Sequence, residues 1–417
     1  RPPRSTQGVS SAASDVYKRQ QIDGLQDLLV KYNTESSLPV SMTRNFTSTP
    51  QVNLGILDAE NANLTHAQKD FLRWHYRFGH LGMQKLKHLL CYLPFSKIAK
   101  FGPLAKCTPC RCEVCQYAKQ VRVTTKGKIS STDDRVDGHL KSNILRPGEK
   151  ISVDHFESRL KGRTFTSFGG STADSYGGGC VFVDHMSGYL HTELQVGFSA
   201  SETIRAKQNF EQMASSHGVP IQSYLADNGA FKAHSFERHI RESNQKIQFC
   251  GVNAHHQNGI AERSIRTVSE KARAMLLHAA LHWKDGVSSS LWPMAVQYAV
   301  YQYNHLPNSE GHAPADLFTG SVFPRHKLLQ MHTWGCPVYV LDPKLQQGKK
   351  LPRWDPRARR GMFVGFSSVH SSDVPLVLNL RTGHISPQFH VVFDDDFSTV
   401  SSLGTDDDVP DLSLIHI

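Results

Sequence analysis

The sequence predicts an α/β core, preceded by a small helical metal-binding segment and followed by a small β-barrel. Three observations predict it. Between residues 150 and 281 short apolar runs alternate with stretches of helical periodicity. Between 66 and 120 helical spacing is combined with closely set histidines and cysteines. After 330 the pattern changes to short strands separated by turns. At 417 residues the chain exceeds one ordinary core, so two or three domains are expected.

Residues 1–20 and 398–417 are expected to be additions or disordered tails, because "SDVYKRQ" and "LSLIHI" resemble translated library-adapter sequence. Residues 21–65 are mixed and polar and read as a linker. From residue 66, Phe71, Leu72, Trp74 and Phe78, then Leu86, Leu89 and Leu90, fall at helical spacing. Gly79 and Gly82 divide that stretch into two helices within a 66–120 segment. Residues 121–148 lack periodicity and read as a second linker. The core is expected over 149–310. Its strands are "KISVD", two in "GGGCVFVDHMSGYLHTELQV" joined at Met186–Gly188, "IQSYLAD" and "KIQFCGV". Its helices fall at 200–217, 235–243 and 259–281. Gly177–Gly179 reads as a turn or bulge, since no Lys-Ser/Thr follows it to make a phosphate loop. Residues 311–330 would connect to a β-rich module over 331–397, built from "CPVYVLD", "RGMFVGFSS", "PLVLNL" and "FHVVFDD". Asp394–Asp396 and Asp406–Asp408 read as solvated tail.

The formal net charge of +10 and pI near 9.1 favour a polyanionic partner. The charge is local: residues 67–128 hold thirteen Lys or Arg against two acids, Asp70 and Glu113, a surplus of eleven. No apolar run approaches the length of a membrane span, and no signal peptide is evident. Of eight cysteines, Cys107, Cys110, Cys112 and Cys115 lie within nine residues, a clustering that suits metal binding in a reducing compartment.

His75 and His80 are five apart at a helix end, and Cys112 and Cys115 form a C-x-x-C knuckle. Two imidazoles and two thiolates make the tetrahedral N/S set of one structural Zn²⁺. Such an ion would staple a segment with a thin core. Cys107 and Cys110 form a second knuckle that competes for the role or is spare; Cys112 and Cys115 are favoured because "CEVCQYAKQ" runs on into basic residues.

A second set is acidic. Phosphoryl transfer on nucleic acid needs carboxylates that converge on hard divalent cations. Asp154 ends a strand, Asp227 ends a later one, and Glu262 opens the long helix, with Asp184 a rival at a hairpin end. A Ser/His/Asp hydrolase lacks support, as no G-x-S-x-G elbow is present.

These stretches resemble the integrase region of copia-type LTR retrotransposon polyproteins. "RWHYRFGHLGMQKLKHLL" followed by "CEVCQYAKQ" resembles the pre-integrase zinc segment. "SVDHFES", "VFVDHMSGY", "LADNGAF" and "HHQNGIAERSIRTV" resemble the core motifs in order, and "HTWGCPVYVLDP", "RRGMFVGFSS" and "HVVFDDD" the module that follows. The resemblance covers about residues 66 to 397. It implies an RNase H-like catalytic core, a zinc-binding N-terminal domain and an SH3-like β-barrel. It carries the family's acidic triad onto Asp154, Asp227 and Glu262 with two Mg²⁺ (or Mn²⁺) ions, and the zinc ligands onto His75, His80, Cys112 and Cys115. Asp227 and Glu262 are separated by 34 residues, and "ADNGAF" and "AHHQNG" depart from the family's usual runs.

The implied activity is 3′-end processing and strand transfer of element cDNA into target DNA, by a homo-multimer acting in the nucleus after a cytoplasmic particle stage. The chain would then be a fragment of a longer polyprotein. Arg263, Arg266, Lys271 and Arg273 along the long helix are candidate contacts for DNA phosphates. So are Lys349, Lys350 and Arg353 in a later basic cluster. Two rivals are an inactive DNA-binding remnant, which the altered flanks favour and the intact triad disfavours, and a hybrid-cleaving RNase H-type nuclease.

Overall fold

The computed structural model describes residues 51–52, 64–92, 104, 106–120, 146–165, 175–227, 229–251, 258–283, 287–308, 310–370 and 373–401. The adapter-like termini, nearly all of both linkers, His255, His256 and Asp406–Asp408 lie outside the described residues.

Helix α1 (His66–Arg77) opens on a capping box. Thr65 Oγ1 accepts from the Gln68 N–H, and Gln68 Oε1 accepts from the Thr65 N–H. The helix buries Phe71, Leu72, Trp74, His75 and Tyr76 and stops before Gly79, whose φ of +63° an L side chain resists. Helix α2 (Met83–Tyr92) follows, so the two glycines divide the stretch as expected. A two-residue parallel pair, β1 (Gln51–Val52) with β2 (Arg111–Cys112), leads into α3 (Glu113–Lys119).

The central sheet holds β3 (Ile151–Gly162), β4 (Tyr176–Asp184), β5 (Leu190–Gln195), β6 (Ser223–Ala226) and β7 (Lys246–Phe249), in the order β5–β4–β3–β6–β7. The first three are antiparallel neighbours, and β6 and β7 run parallel to β3. Successive residues of β4 serve opposite faces. Cys180 and Phe182 pack with residues of α4 (Ala200–Ser216) and α5 (His234–Glu242). Val181 and Val183 pack with α6 (Gly259–His282) and α7 (Trp292–His305). A sheet covered on both faces is the α/β core the sequence predicts.

Gly177–Gly179 lies inside β4 rather than at a turn, and the ladder with β3 is irregular at this point: Gly178 pairs with Glu157 and Tyr176 with Gly162, the extra residues of the bulge falling on β3. A Cβ at Gly178 would collide with the Phe156 carbonyl, and one at Gly179 would come 2.6 Å from the Glu193 carbonyl. The glycines let three strands pack closely.

The C-terminal part is a second five-stranded sheet of β8 (Pro337–Leu341), β9 (Ala358–Phe366), β10 (Pro375–Leu378), β11 (Ile385–Pro387) and β12 (Val391–Phe393), in the order β11–β10–β9–β8–β12. All neighbours are antiparallel, and no pairing between the end strands β11 and β12 is seen among the described residues. The β-rich module is thus an antiparallel five-stranded sheet. It shares one buried cluster with the other segments: Val338, Met362 and Phe363 lie with Met275, Ala295, Leu72 and Val114.

Asp394–Asp396, expected as solvated tail, is structural. Asp396 pairs with Arg73 at 2.9 Å, Asp395 with Arg77 at 3.3 Å, and Asp394 accepts the Thr399 N–H at 2.7 Å. The acids tie α1 to the second sheet and cap a short helix at Ser398–Ser401, the start of the stretch expected to be disordered. No helix among the described residues is long and apolar enough to cross a membrane.

Candidate active site and metal centre

His75 sits in the last turn of α1, where its Nδ1 meets the Leu81 carbonyl at 2.8 Å and its Nε2 lies 3.3 Å from Cys115 Sγ. His80, at φ +57°, points Nδ1 toward Cys112 Sγ at 3.5 Å and Cys115 Sγ at 3.7 Å. All four donor atoms lie within 4.8 Å of one another. With Zn–S near ~2.3 Å and Zn–N near ~2.0 Å, a tetrahedral site has S···N edges of roughly 3.5 Å. The donors therefore already stand at ligand spacing.

Their protonation fits as well. A hydrogen bond from Cys112 drives the Cys115 thiol far below its usual range, His75 adding to it against burial, while burial pushes Cys112 up. A cation bound here would take both sulfurs as thiolates. Burial lowers His80 to about 4, keeping its imidazole neutral as ligation requires. The second knuckle stays apart: burial raises Cys107, and raises Cys110 to about 11, and Cys110 packs with Leu72 and Tyr76.

Asp154 does not end its strand; it is the fourth residue of the twelve-residue β3. Val153 is registered against Ala226 of the parallel strand β6, so the next residues, Asp154 and Asp227, emerge side by side. Both line a cleft of about 190 Å³ with His155, Phe198 and Phe231. Buried Asn258 fixes the start of α6 to the same strand, donating Nδ2 to the Val153 carbonyl at 3.0 Å. Glu262 follows in the first turn of α6, exposed.

Cys250, buried just after β7, links the three acids electrostatically. Its thiol is raised by burial and then by Asp227, Asp154 and Glu262. Among the described residues only the His/Cys group gathers three or more donors at metal-ligand spacing, and Glu262 is not part of the cleft that Asp154 and Asp227 line. Asp184 is buried and spent on a turn, accepting from the Gly148 N–H at 2.9 Å and the Ser187 N–H at 2.7 Å. Sequence reasoning missed the cleft wall: His155 stacks on Phe231 at 4.4 Å between ring centres, its only mark being adjacency to Asp154.

The basic candidates divide. Arg263 and Arg266 are exposed near Glu262, with Arg263 Nε also donating to the Gly259 carbonyl at 2.9 Å. Lys349, Lys350 and Arg353 are exposed between β8 and β9. Lys271 and Arg273 do not lie on that surface. Lys271 is buried, with its pKa pushed well down by burial and by Lys119 and Lys85. Arg273 is partly buried and donates to the Ala118 carbonyl of α3 at 3.0 Å. Nine residues at about 100° each put Lys271 roughly half a turn round α6 from Glu262. Arg273 faces more nearly the acid's way, but three turns along the axis, where α3 covers it.

Residues 52–120 match the GAG-pre-integrase domain family. The chain is 26% identical over 299 residues to the retrovirus-related Pol polyprotein from transposon TNT 1-94 of Nicotiana tabacum, covering 70% of this chain and 19% of that protein. It thus spans about a fifth of that relative's length. Among solved structures, the HTLV-2 integrase catalytic core domain in complex with magnesium is 20% identical, covering 42% of this chain and 98% of that one, with a TM-score of 0.30. The simian T-cell lymphotropic virus intasome in complex with PP2A regulatory subunit B56 gamma is 15% identical, covering 61% and 81%, with a TM-score of 0.33.

Proposed function

We propose that this chain, an integrase region of a copia-type retrotransposon Pol polyprotein by its pre-integrase domain and its tobacco relative, trims the 3′ ends of element cDNA and joins them to target DNA. The observation that supports the reaction is the placing of Asp154 and Asp227 side by side on one cleft, with Glu262 adding its charge at Cys250. In this reading Asp154, Asp227 and Glu262 would hold two Mg²⁺ or Mn²⁺ ions. Ions held so activate an attacking oxygen and stabilise a leaving one. His155, Phe198 and Phe231 wall the cleft and restrict water. Arg263 and Arg266 receive the phosphates that flank the reacting one. His75, His80, Cys112 and Cys115 would hold one structural Zn²⁺.

The partners in this proposal are cDNA ends, target DNA and further copies of the chain, meeting in the nucleus after a cytoplasmic particle stage. The exposed Lys349, Lys350 and Arg353 supply a second DNA contact with strong salt dependence. Incubating a blunt duplex with the chain and Mg²⁺ or Mn²⁺ tests the reaction. Strand-transfer products are expected from the wild type and only background from Glu262→Gln; equal background from both rejects the enzyme.

A further inference from the structure

A pocket of about 380 Å³ lies where the α1–α2 turn meets α6, away from the acidic cleft. Lys85, Lys119 and Lys271 line it, and Glu270 is the one acid that does. Lys271 is only 8% exposed, and among the described residues it makes no hydrogen bond or ion pair. Its Cε packs where Gly79 leaves room, since a Cβ there would come within 2.5 Å. A lysine buried so deeply ordinarily has a counter-charge. Gly82, Met83 and Gln84 also line the pocket, so the first turn of α2 faces it. That turn carries no acid, and its leading N–H groups have no partner within the helix. Lys119 donates to the His80 carbonyl at 2.5 Å and keeps further N–H donors.

We propose that this pocket binds a phosphate group, seated on the N-terminus of α2 among Lys85, Lys119 and Lys271. Lys85 and Lys119 outnumber the one carboxylate, a bound anion would draw a proton onto buried Lys271, and a tetrahedral oxyanion accepts from several directions at once. The phosphate comes either from a nucleic-acid backbone or from free phosphate. Binding here does not depend on strand transfer, because the pocket contains none of the three acids.

The test uses the full, zinc-loaded chain and follows thermal unfolding against inorganic phosphate, with chloride at matched ionic strength as control. A saturable rise in Tm is expected for the wild type. Lys271→Met keeps the packing and should bind phosphate about tenfold more weakly or worse, at unchanged zinc content. Lys85→Ala, at an exposed position, should weaken binding in the same direction without disturbing the core. If the source is DNA, a short duplex competes with phosphate and binds Lys271→Met more weakly; if it is free phosphate, duplex affinity is equal in both proteins. The inference is overturned if phosphate raises Tm no more than chloride does, or raises it equally in the wild type and both variants.

Discussion

Removing the ion from the His/Cys centre should loosen one segment of the chain and spare the rest. Without the metal, α1 and α2 are held by Phe71, Trp74, Phe78, Leu86, Leu89 and Leu90, which cluster with Leu306, Leu328 and Met331, while α3 is held by Val114 and Ala118 in the cluster shared with α6, α7 and the second sheet. For α3, Val114 at about 1.5–3 kcal/mol and the smaller Ala118 at about 1 kcal/mol give roughly 2.5–4 kcal/mol, an upper bound because unfolded chains already bury some surface. The Arg73–Asp396 and Arg77–Asp395 pairs are partly exposed and add up to about 1 kcal/mol each. Structural zinc contributes about 10–16 kcal/mol in small peptides that fold only around it. The metal therefore holds α3 more firmly than its own apolar packing does, whereas α1 and α2 keep a large apolar contact without it. Hydrogen exchange with and without chelator measures this directly. Chelation should release one zinc per chain and speed exchange in α3 by orders of magnitude, with α1 affected less and β3 to β7 unchanged. Chelated, zinc-free protein whose α3 exchanges as slowly as that of the zinc-loaded protein would refute the reasoning.

Three further outcomes are expected. Asn258→Ala removes the tie from α6 to the Val153 carbonyl, so denaturant unfolding should show a loss of about 1–2 kcal/mol and strand transfer should fall more than duplex binding; unchanged stability counts against the tie. Gly178→Ala forces a Cβ onto the Phe156 carbonyl and should cost about 1–3 kcal/mol by the same measurement, and no measurable loss would refute the close approach. Burial, with Lys150 adding, pushes buried His185 down to about 4. Its folded pKa lies below the unfolded value of about 6.5, so stability present above about pH 6.5 is lost as pH falls toward 4, by up to ~3 kcal/mol. His185→Gln should flatten that part of the stability profile, and an unaltered profile would exclude the residue.

What could be read from the sequence follows the range of the forces involved. The metal donors were legible because two short spacings, His75 to His80 and Cys112 to Cys115, already limit which atoms can meet. The start of α6 was legible because Gln-Asn-Gly is a turn before strong helical periodicity. Asp154 was legible as a candidate, but its position within β3 was not, since "HFESRLKG" has no clean alternation to carry the strand onward. Helix α7 buries ten of its fourteen residues, so it shows no polar stripe to mark it. Lys271 and Asp394–Asp396 misled in opposite directions, because a charge run says nothing of the partners that the fold brings to it from far along the chain. Glu262 lies near Arg263 and Arg266 for a reason the sequence hints at; that Asp154 and Asp227 stand side by side needed the parallel register of β3 and β6.

The central claim is that three carboxylates from separate elements hold divalent cations at one cleft. A crystal structure of the chain with a duplex DNA end and Mn²⁺, with anomalous scattering recorded, tests it most directly. Anomalous peaks are expected within about 2.0–2.3 Å of carboxylate oxygens from Asp154, Asp227 and Glu262 together. Peaks elsewhere, or Glu262 still turned to solvent with Mn²⁺ and DNA in place, would contradict it.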